Sequence, residues 1–169
     1  MNVVVVSGFL GSGKTSFILS LARSFAGFGI TAAVIENEVG AIGIDGFSLR
    51  LGTGLNVTEL YAGCICCSLR RELESAVQSI KLELDPDLLI IEPSGVAGPE
   101  LVVDTVRHTP GSQEAVTTIQ IVDSHRIIGL LRSRKMLSPF LERGVEVSDR
   151  VILNKTSDLY PDERRELFQ

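Results

Sequence analysis

The sequence has no stretch suited to crossing a membrane and no excess of charge suited to a polyanion. No apolar run approaches the roughly 20 residues of a spanning helix. The valines at 3–6 form too short a run, with no basic residues before it, to be an export signal. Basic residues are in deficit, 16 Lys and Arg against 21 Asp and Glu, giving a formal net charge of −5. Proteins whose main partner is nucleic acid normally carry a basic face, so that class is disfavoured. Cysteine is scarce: Cys64, Cys66 and Cys67 are the whole set. An odd number at this spacing does not make a disulfide framework, and a reducing cytoplasm is the natural setting. Internal repeats, charge blocks and low-complexity tracts are also missing.

What remains is a chain of 169 residues with 44% hydrophobic residues, enough for one compact domain with a sizeable core. Runs of β-branched apolar residues alternate with helical periodicity, the pattern of βαβ units around a parallel sheet. Strands are predicted near 3–7, 31–35, 88–91, 117–122 and 150–153. A helix should open at Lys14, with Phe17, Ile18, Leu21, Ala22 and Phe25 on one face and Gly27 and Gly29 ending it. Leu69, Leu73, Ala76, Val77, Ile80 and Leu84 mark a second helix, stopped by Asp85-Pro86-Asp87. Further helices are expected from Pro99, Ser124 and Pro161, and residues 40–54 read as a Gly-rich loop or switch with a short edge hairpin. The predicted class is α/β, a three-layer P-loop NTPase sandwich with a mostly parallel sheet.

Gly8-Phe9-Leu10-Gly11-Ser12-Gly13-Lys14-Thr15 matches G-x-x-x-x-G-K-[ST] in full, directly after a strand and opening a helix. Glycines let backbone N–H groups wrap phosphates, and the helix N-terminus adds favourable partial charge. Lys14 is expected to reach the β- and γ-phosphates and the Thr15 hydroxyl to bind Mg²⁺. The apolar run 88–91 ends in Glu92, a Walker B arrangement that holds Mg²⁺ directly or through water. Taken alone, a carboxylate after a strand is as often a solvated strand end. Glu92 and Gly95 have D-x-x-G spacing with Glu in place of Asp, so the Gly95 N–H is a candidate γ-phosphate sensor.

Asn154-Lys155-Thr156-Ser157-Asp158 stands where a guanine-reading N-K-x-D would sit, one residue out of register because Ser157 takes the Asp position. Asp158 can read guanine if the loop bulges. Otherwise the segment is a plain loop, and an ATP-dependent kinase of a small metabolite becomes the rival reading. Cys64-Ile65-Cys66-Cys67 precedes a helix, where thiolates gain acidity and become ready ligands. Two or three thiolates with an open position suit Zn²⁺, with Co²⁺ or Cu⁺ as alternatives. The bland alternative is small buried apolar cysteines. His108 and His125 read as surface residues, and Asp123 as a support for the switch region or a helix N-cap.

These segments together resemble the CobW/HypB/UreG group of metallochaperone GTPases, most closely its CobW-like branch. The matching stretches are 8–16, 35–40 through Asp45, 63–67, 92–95 through Pro99, 122–123 and 149–155. The resemblance implies a P-loop GTPase fold, binding of GTP and GDP with Mg²⁺, slow hydrolysis, and delivery of a transition metal to a client metalloprotein, with a homodimer allowed. It carries the nucleotide site onto Gly8, Gly11, Ser12, Gly13, Lys14, Thr15, Ser16, Asn154, Lys155 and Asp158. Lys14, Glu92 and Gly95 are carried over as the catalytic set. Cys64, Cys66, Cys67 and Glu36 are carried over as the metal site. Ala41 and Val39 depart from the family pattern, as does Ser157, and Asp45 resembles a switch Asp. Residues 1–169 are read as one nucleotide-binding domain, truncated near its C-terminal end and without the family's C-terminal domain. A nucleotide-binding metal sensor without turnover is the third reading.

Overall fold

The computed structural model describes residues 1–36, 56–59, 67–93, 99–109, 115–133 and 138–167. Six strands form one sheet: β1 (Asn2–Gly8), β2 (Ala32–Glu36), β3 (Asn56–Glu59), β4 (Leu88–Glu92), β5 (Val116–Asp123) and β6 (Arg150–Asn154). Their order is β3-β2-β4-β1-β5-β6, and every neighbouring pair is parallel. β1 is central, with β4 on one side and β5 on the other. The chain leaves β1 towards β2 on one flank and later places β5 on the opposite flank. The loop after β1 therefore lies at the switch point where α/β sheets bind ligands.

Helices cover both faces, as the expected three-layer sandwich requires. β1 is apolar from Val3 to Val6 because both faces of the sheet are covered there. Val3 and Val5 meet Leu73, Ala76, Val77 and Ile80 of α2 (Cys67–Glu83) together with Val102 and Val106 of α3 (Pro99–His108). Val6, Val34, Ile90 and Ile121 face the other way, against Ile18 and Ala22 of α1 (Lys14–Gly27). The chain continues through α4 (Ser124–Ser133), α5 (Pro139–Val147), a 3₁₀ turn (Thr156–Asp158) and α6 (Pro161–Leu167).

The predicted strands and helices are found within a residue or two of their expected limits, with two additions. β3 extends the sheet beside β2, and α5 packs next to α3, where Arg143 Nε lies 3.0 Å from Glu100 Oε1. The hairpin expected in 40–54 lies outside the described residues. Leu84 is 42% exposed instead of lying on the buried face of α2, because the helix ends at Glu83 and the chain turns through Asp85 at φ 38°.

Two aspartates staple strand starts at the edge of the sheet opposite the site. Asp87 Oδ2 accepts from Thr31 N at 2.9 Å and Thr31 Oγ1 at 2.8 Å, and Thr31 Oγ1 accepts from Asp87 N. Asp149 Oδ2 accepts from Thr118 N at 2.7 Å and Thr118 Oγ1 at 2.8 Å, and Thr118 Oγ1 accepts from Asp149 N.

Candidate nucleotide site

A parallel sheet brings all its strand C-termini to one edge, and here those termini carry the polar residues. Glu36 ends β2 in register with Glu92 of β4 and Glu59 of β3, and Asp123 of β5 is in register with Asn154 of β6. Between these flanks β1 ends in Gly8, and the phosphate loop rises from it.

The loop conformation explains its glycines. Gly8 has φ 150°, and a Cβ there would overlap the carbonyl oxygen of Ile121 on β5. Gly13 has φ 97° and is the N-cap of α1, with the Asn154 carboxamide occupying the space a Cβ would need. Ser12 N donates to Phe9 O at 3.1 Å and closes the loop. The start of α1 has no side-chain cap and no acidic residue in its first turn. Its N–H groups and partial positive charge are thus available to an anion. The Ser12 hydroxyl is buried with no hydrogen-bond partner among the described residues.

Lys14 is only 9% exposed, an unusual place for an ammonium unless it serves a charge. Its Nζ lies 3.2 Å from Phe9 O and 3.4 Å from Glu92 Oε1. Thr15 follows in the first turn of α1. The Thr15 hydroxyl and the Glu92 carboxylate are hard oxygen donors of the type Mg²⁺ takes. Glu36 is 8% exposed at the end of β2.

The far wall comes from β5 and β6. Asn154 Nδ2 donates to Ser12 O at 2.8 Å, and Asn154 Oδ1 accepts from Lys155 N at 2.9 Å. Lys155 adopts the left-handed region at φ 61° and aims its Nζ at Gly11 O, 2.8 Å away, and at Asp123 Oδ2, 2.6 Å away. Asp123 Oδ1 accepts from His125 N at 3.0 Å and so caps α4, and Ser124 Oγ donates to Asn154 O at 2.6 Å. Partial burial opposes ionisation of Asp123. The Lys155 ammonium, followed by the His125 and Arg126 amides, outweighs that opposition and holds the carboxyl below its ordinary range. Arg126 lies over the Phe9 ring at 4.0 Å from its centroid.

The structure thus brings Gly8, Gly11, Ser12, Gly13, Lys14, Thr15, Ser16, Glu92, Asn154 and Lys155 together around one loop. Asp158 is exposed in the 3₁₀ turn, where its Oδ1 accepts from Ser157 Oγ at 2.9 Å. That turn is held by Arg164 of α6, which donates to the carbonyls of Thr156 and Ser157. Gly95, Asp45, Cys64 and Cys66 lie outside the described residues, while Cys67 opens α2. His108 and His125 are exposed, as expected. Asp123 acts as the helix cap, and its bond to Lys155 was not legible. An acid–lysine pair separated by more than thirty positions has no local pattern. The available signal was that Asp123 ends one strand and Lys155 directly follows the end of its neighbour.

Residues 2–168 match the family model described as CobW/HypB/UreG, nucleotide-binding domain. The chain is 31% identical over 162 residues to the zinc chaperone YjiA of Escherichia coli, covering 91% of this chain and 49% of that protein. It is 31% identical over 180 residues to the zinc chaperone CobW of Sinorhizobium sp, covering 90% of this chain and 50% of the relative. It therefore spans about half the length of these curated relatives. Among solved structures, HypB from Helicobacter pylori in complex with nickel superposes with a TM-score of 0.66 at 20% identity, over 100% of this chain and 73% of that one. That likeness is one of fold. With a family model spanning nearly all of its length, the chain belongs to the CobW/HypB/UreG family and carries that family's nucleotide-binding domain.

Proposed function

We propose that this chain binds GTP, hydrolyses it slowly, and couples its nucleotide state to the holding of a transition metal, Zn²⁺ foremost and Co²⁺ next, for a client metalloprotein. The observation that carries the reading is the nearly buried Lys14 beside Glu92, under a loop that Asn154 and Lys155 grip from the far side. Phosphates would take the free N–H groups of α1 and the Lys14 charge, and Lys155 and Asn154 would place the base-binding wall against the same loop. Mg²⁺, held by Thr15 and Glu92, would supply charge neutralisation at the β- and γ-phosphate oxygens. No Gln follows Gly95 to orient the attacking water, which supports slow turnover.

The metal is cargo. Cys64, Cys66 and Cys67 are assigned as its ligands, joined by Glu36. The C-x-C-C spacing supports this, because closely spaced thiolates suit a soft or borderline transition metal. Relatives named zinc chaperones support zinc as the cargo. A reducing cytoplasm is the assigned setting, and a homodimer is the assembly to look for. Among the described residues no helix is long and apolar enough to cross a membrane. No role in binding nucleic acid is assigned.

The test is paired titration. GTP should outbind ATP at least tenfold, about 1.4 kcal/mol, with Asp158→Ala erasing the preference. Zn²⁺ affinity, measured by competition with a chelating dye, should differ between GTP·Mg²⁺, GDP·Mg²⁺ and nucleotide-free protein, and Cys66→Ser should remove the difference. Three equal zinc affinities would defeat the coupling. Equal affinity for GTP and ATP would favour the ATP-dependent reading, which the exposed Asp158, bonded by Ser157, supports.

A further inference from the structure

Lys155 is held at two points. One of its ammonium hydrogens serves Gly11 O in the phosphate loop, 2.8 Å away, and another serves Asp123 Oδ2, 2.6 Å away. A lysine side chain has four rotatable bonds and a strongly hydrated head, so a lone carbonyl would hold it poorly. The backbone of Lys155 is also in the left-handed region, which only a well-determined surrounding sustains in a residue with a Cβ. Asn154 Oδ1 holds its backbone N–H at 2.9 Å, and Asp123 holds its ammonium. Asp123 is in register with Asn154, and its second oxygen is fixed by the His125 N–H at 3.0 Å. The carboxylate therefore cannot follow the ammonium into solvent without uncapping α4.

We infer that Asp123 is a positioning residue for nucleotide recognition: it acts through Lys155, locking the wall formed by Asn154 and Lys155 to the phosphate loop at Gly11. This rests on the nucleotide-binding reading above and deepens it. One fixed carboxylate makes the placement of the base wall and the shape of the phosphate loop a single variable.

The sign of the effect separates this role from plain electrostatics. An acid close to a phosphate site repels the ligand, so neutralising it would tighten binding if charge alone mattered. The positioning role demands the opposite. Asn also caps a helix as well as Asp does, so Asp123→Asn keeps the α4 cap while removing the charge that holds Lys155.

The experiment measures GDP·Mg²⁺ affinity by isothermal titration for wild type, Asp123→Asn, Lys155→Met and the double variant, with melting of each nucleotide-free protein alongside. Asp123→Asn should weaken GDP about tenfold, equivalent to about 1.4 kcal/mol, with the melting midpoint held close to wild type. In the Lys155→Met background the same change should have little further effect, because the two residues act as one unit. Unchanged or tighter GDP binding by Asp123→Asn would overturn the inference, as would losses that simply add in the double variant. If Asp123→Asn fails to fold, Lys155→Met decides between the two roles: it leaves the cap untouched, and GDP affinity equal to wild type would overturn the lock. A wild-type protein that binds no nucleotide would overturn the nucleotide reading itself and the inference with it.

Discussion

Lys14 occupies the first position of α1, where a cation faces the positive end of the helix dipole, and it is almost wholly buried. Neither placement favours folding by itself, and a local conflict of this kind is expected where a residue serves a site, which agrees with the proposed phosphate-binding role. Its contacts are a carbonyl and the Glu92 carboxylate, both polar. Lys14→Ala should therefore remove charge without removing packing. We expect triphosphate affinity to fall by at least about 100-fold, about 2.7 kcal/mol, with the melting midpoint moving by only a few degrees. Titration calorimetry beside thermal melting checks both parts. Wild-type affinity in the variant would refute the phosphate assignment. This residue was readable in advance because its motif is contiguous. Asp123 was not, because its partner arrives on another strand, and the role of Asp158 depends on how a short turn places it, which spacing alone leaves open.

At the scale of elements, legibility followed periodicity. β1, β4, α1 and α2 announced themselves through unbroken apolar runs or clean i, i+3, i+4 spacing. α5 did not. Its start was marked by Ser138, whose Oγ accepts from Leu141 N at 3.3 Å, and by Pro139 in the first turn. Its body then mixes Gly144 with Val145 and Val147, residues that lower helix propensity. The structure gives the reason for that glycine. A Cβ on Gly144 would lie 2.7 Å from Gln120 Oε1 and 2.9 Å from its Cδ. Gln120 is fully buried and accepts from Ser7 Oγ at 2.5 Å, so moving its carboxamide aside would break that bond. Gly129, in the middle of α4, has nothing within 4 Å of the same hypothetical atom. The two helix glycines should thus respond to alanine with opposite sign. Gly129→Ala is expected to stabilise by about 0.5–1 kcal/mol through backbone entropy. Gly144→Ala is expected to destabilise by about 1–3 kcal/mol through overpacking. Urea unfolding of both variants is the check, and a stabilised Gly144→Ala would show that Gln120 repacks freely. β3 escaped notice for a different reason. Asn56-Val57-Thr58-Glu59 is short and polar at both ends, and its strand character comes from pairing with β2.

On the scale of the whole molecule, polar chemistry divides between the two edges of the sheet. The C-terminal edge carries the proposed nucleotide site, while the N-terminal edge carries the Asp87–Thr31 and Asp149–Thr118 staples, which tie β2 to β4 and β5 to β6. Both carboxyls titrate below their ordinary range. In each case the threonine backbone N–H is the main cause and the threonine hydroxyl the second. The direction fixes the sign of the pH effect. A carboxyl whose folded pKa is depressed contributes its stability in full above its unfolded pKa, about 3.9, and loses it as pH falls through the folded value. Stability should therefore be insensitive to these groups from about pH 5 to 8 and should decline below about pH 4. Both carboxylates are solvent-exposed, so the decline should be gradual and salt-sensitive. The staples are at the opposite edge from the phosphate loop, and nucleotide affinity across that neutral range should not register them. Thr118→Val removes the hydroxyl but keeps the backbone N–H that contributes most. It should flatten part of the acid decline and leave GDP affinity at neutral pH unchanged. Urea midpoints at about pH 7, 5 and 3 for wild type and Thr118→Val, with GDP titration at the first of these, separate the two edges. A Thr118→Val protein with the full wild-type acid decline would remove the Asp149 staple from the account of stability. Weakened GDP binding in that variant would show that the edges are mechanically coupled through β5, whose other end carries Asp123.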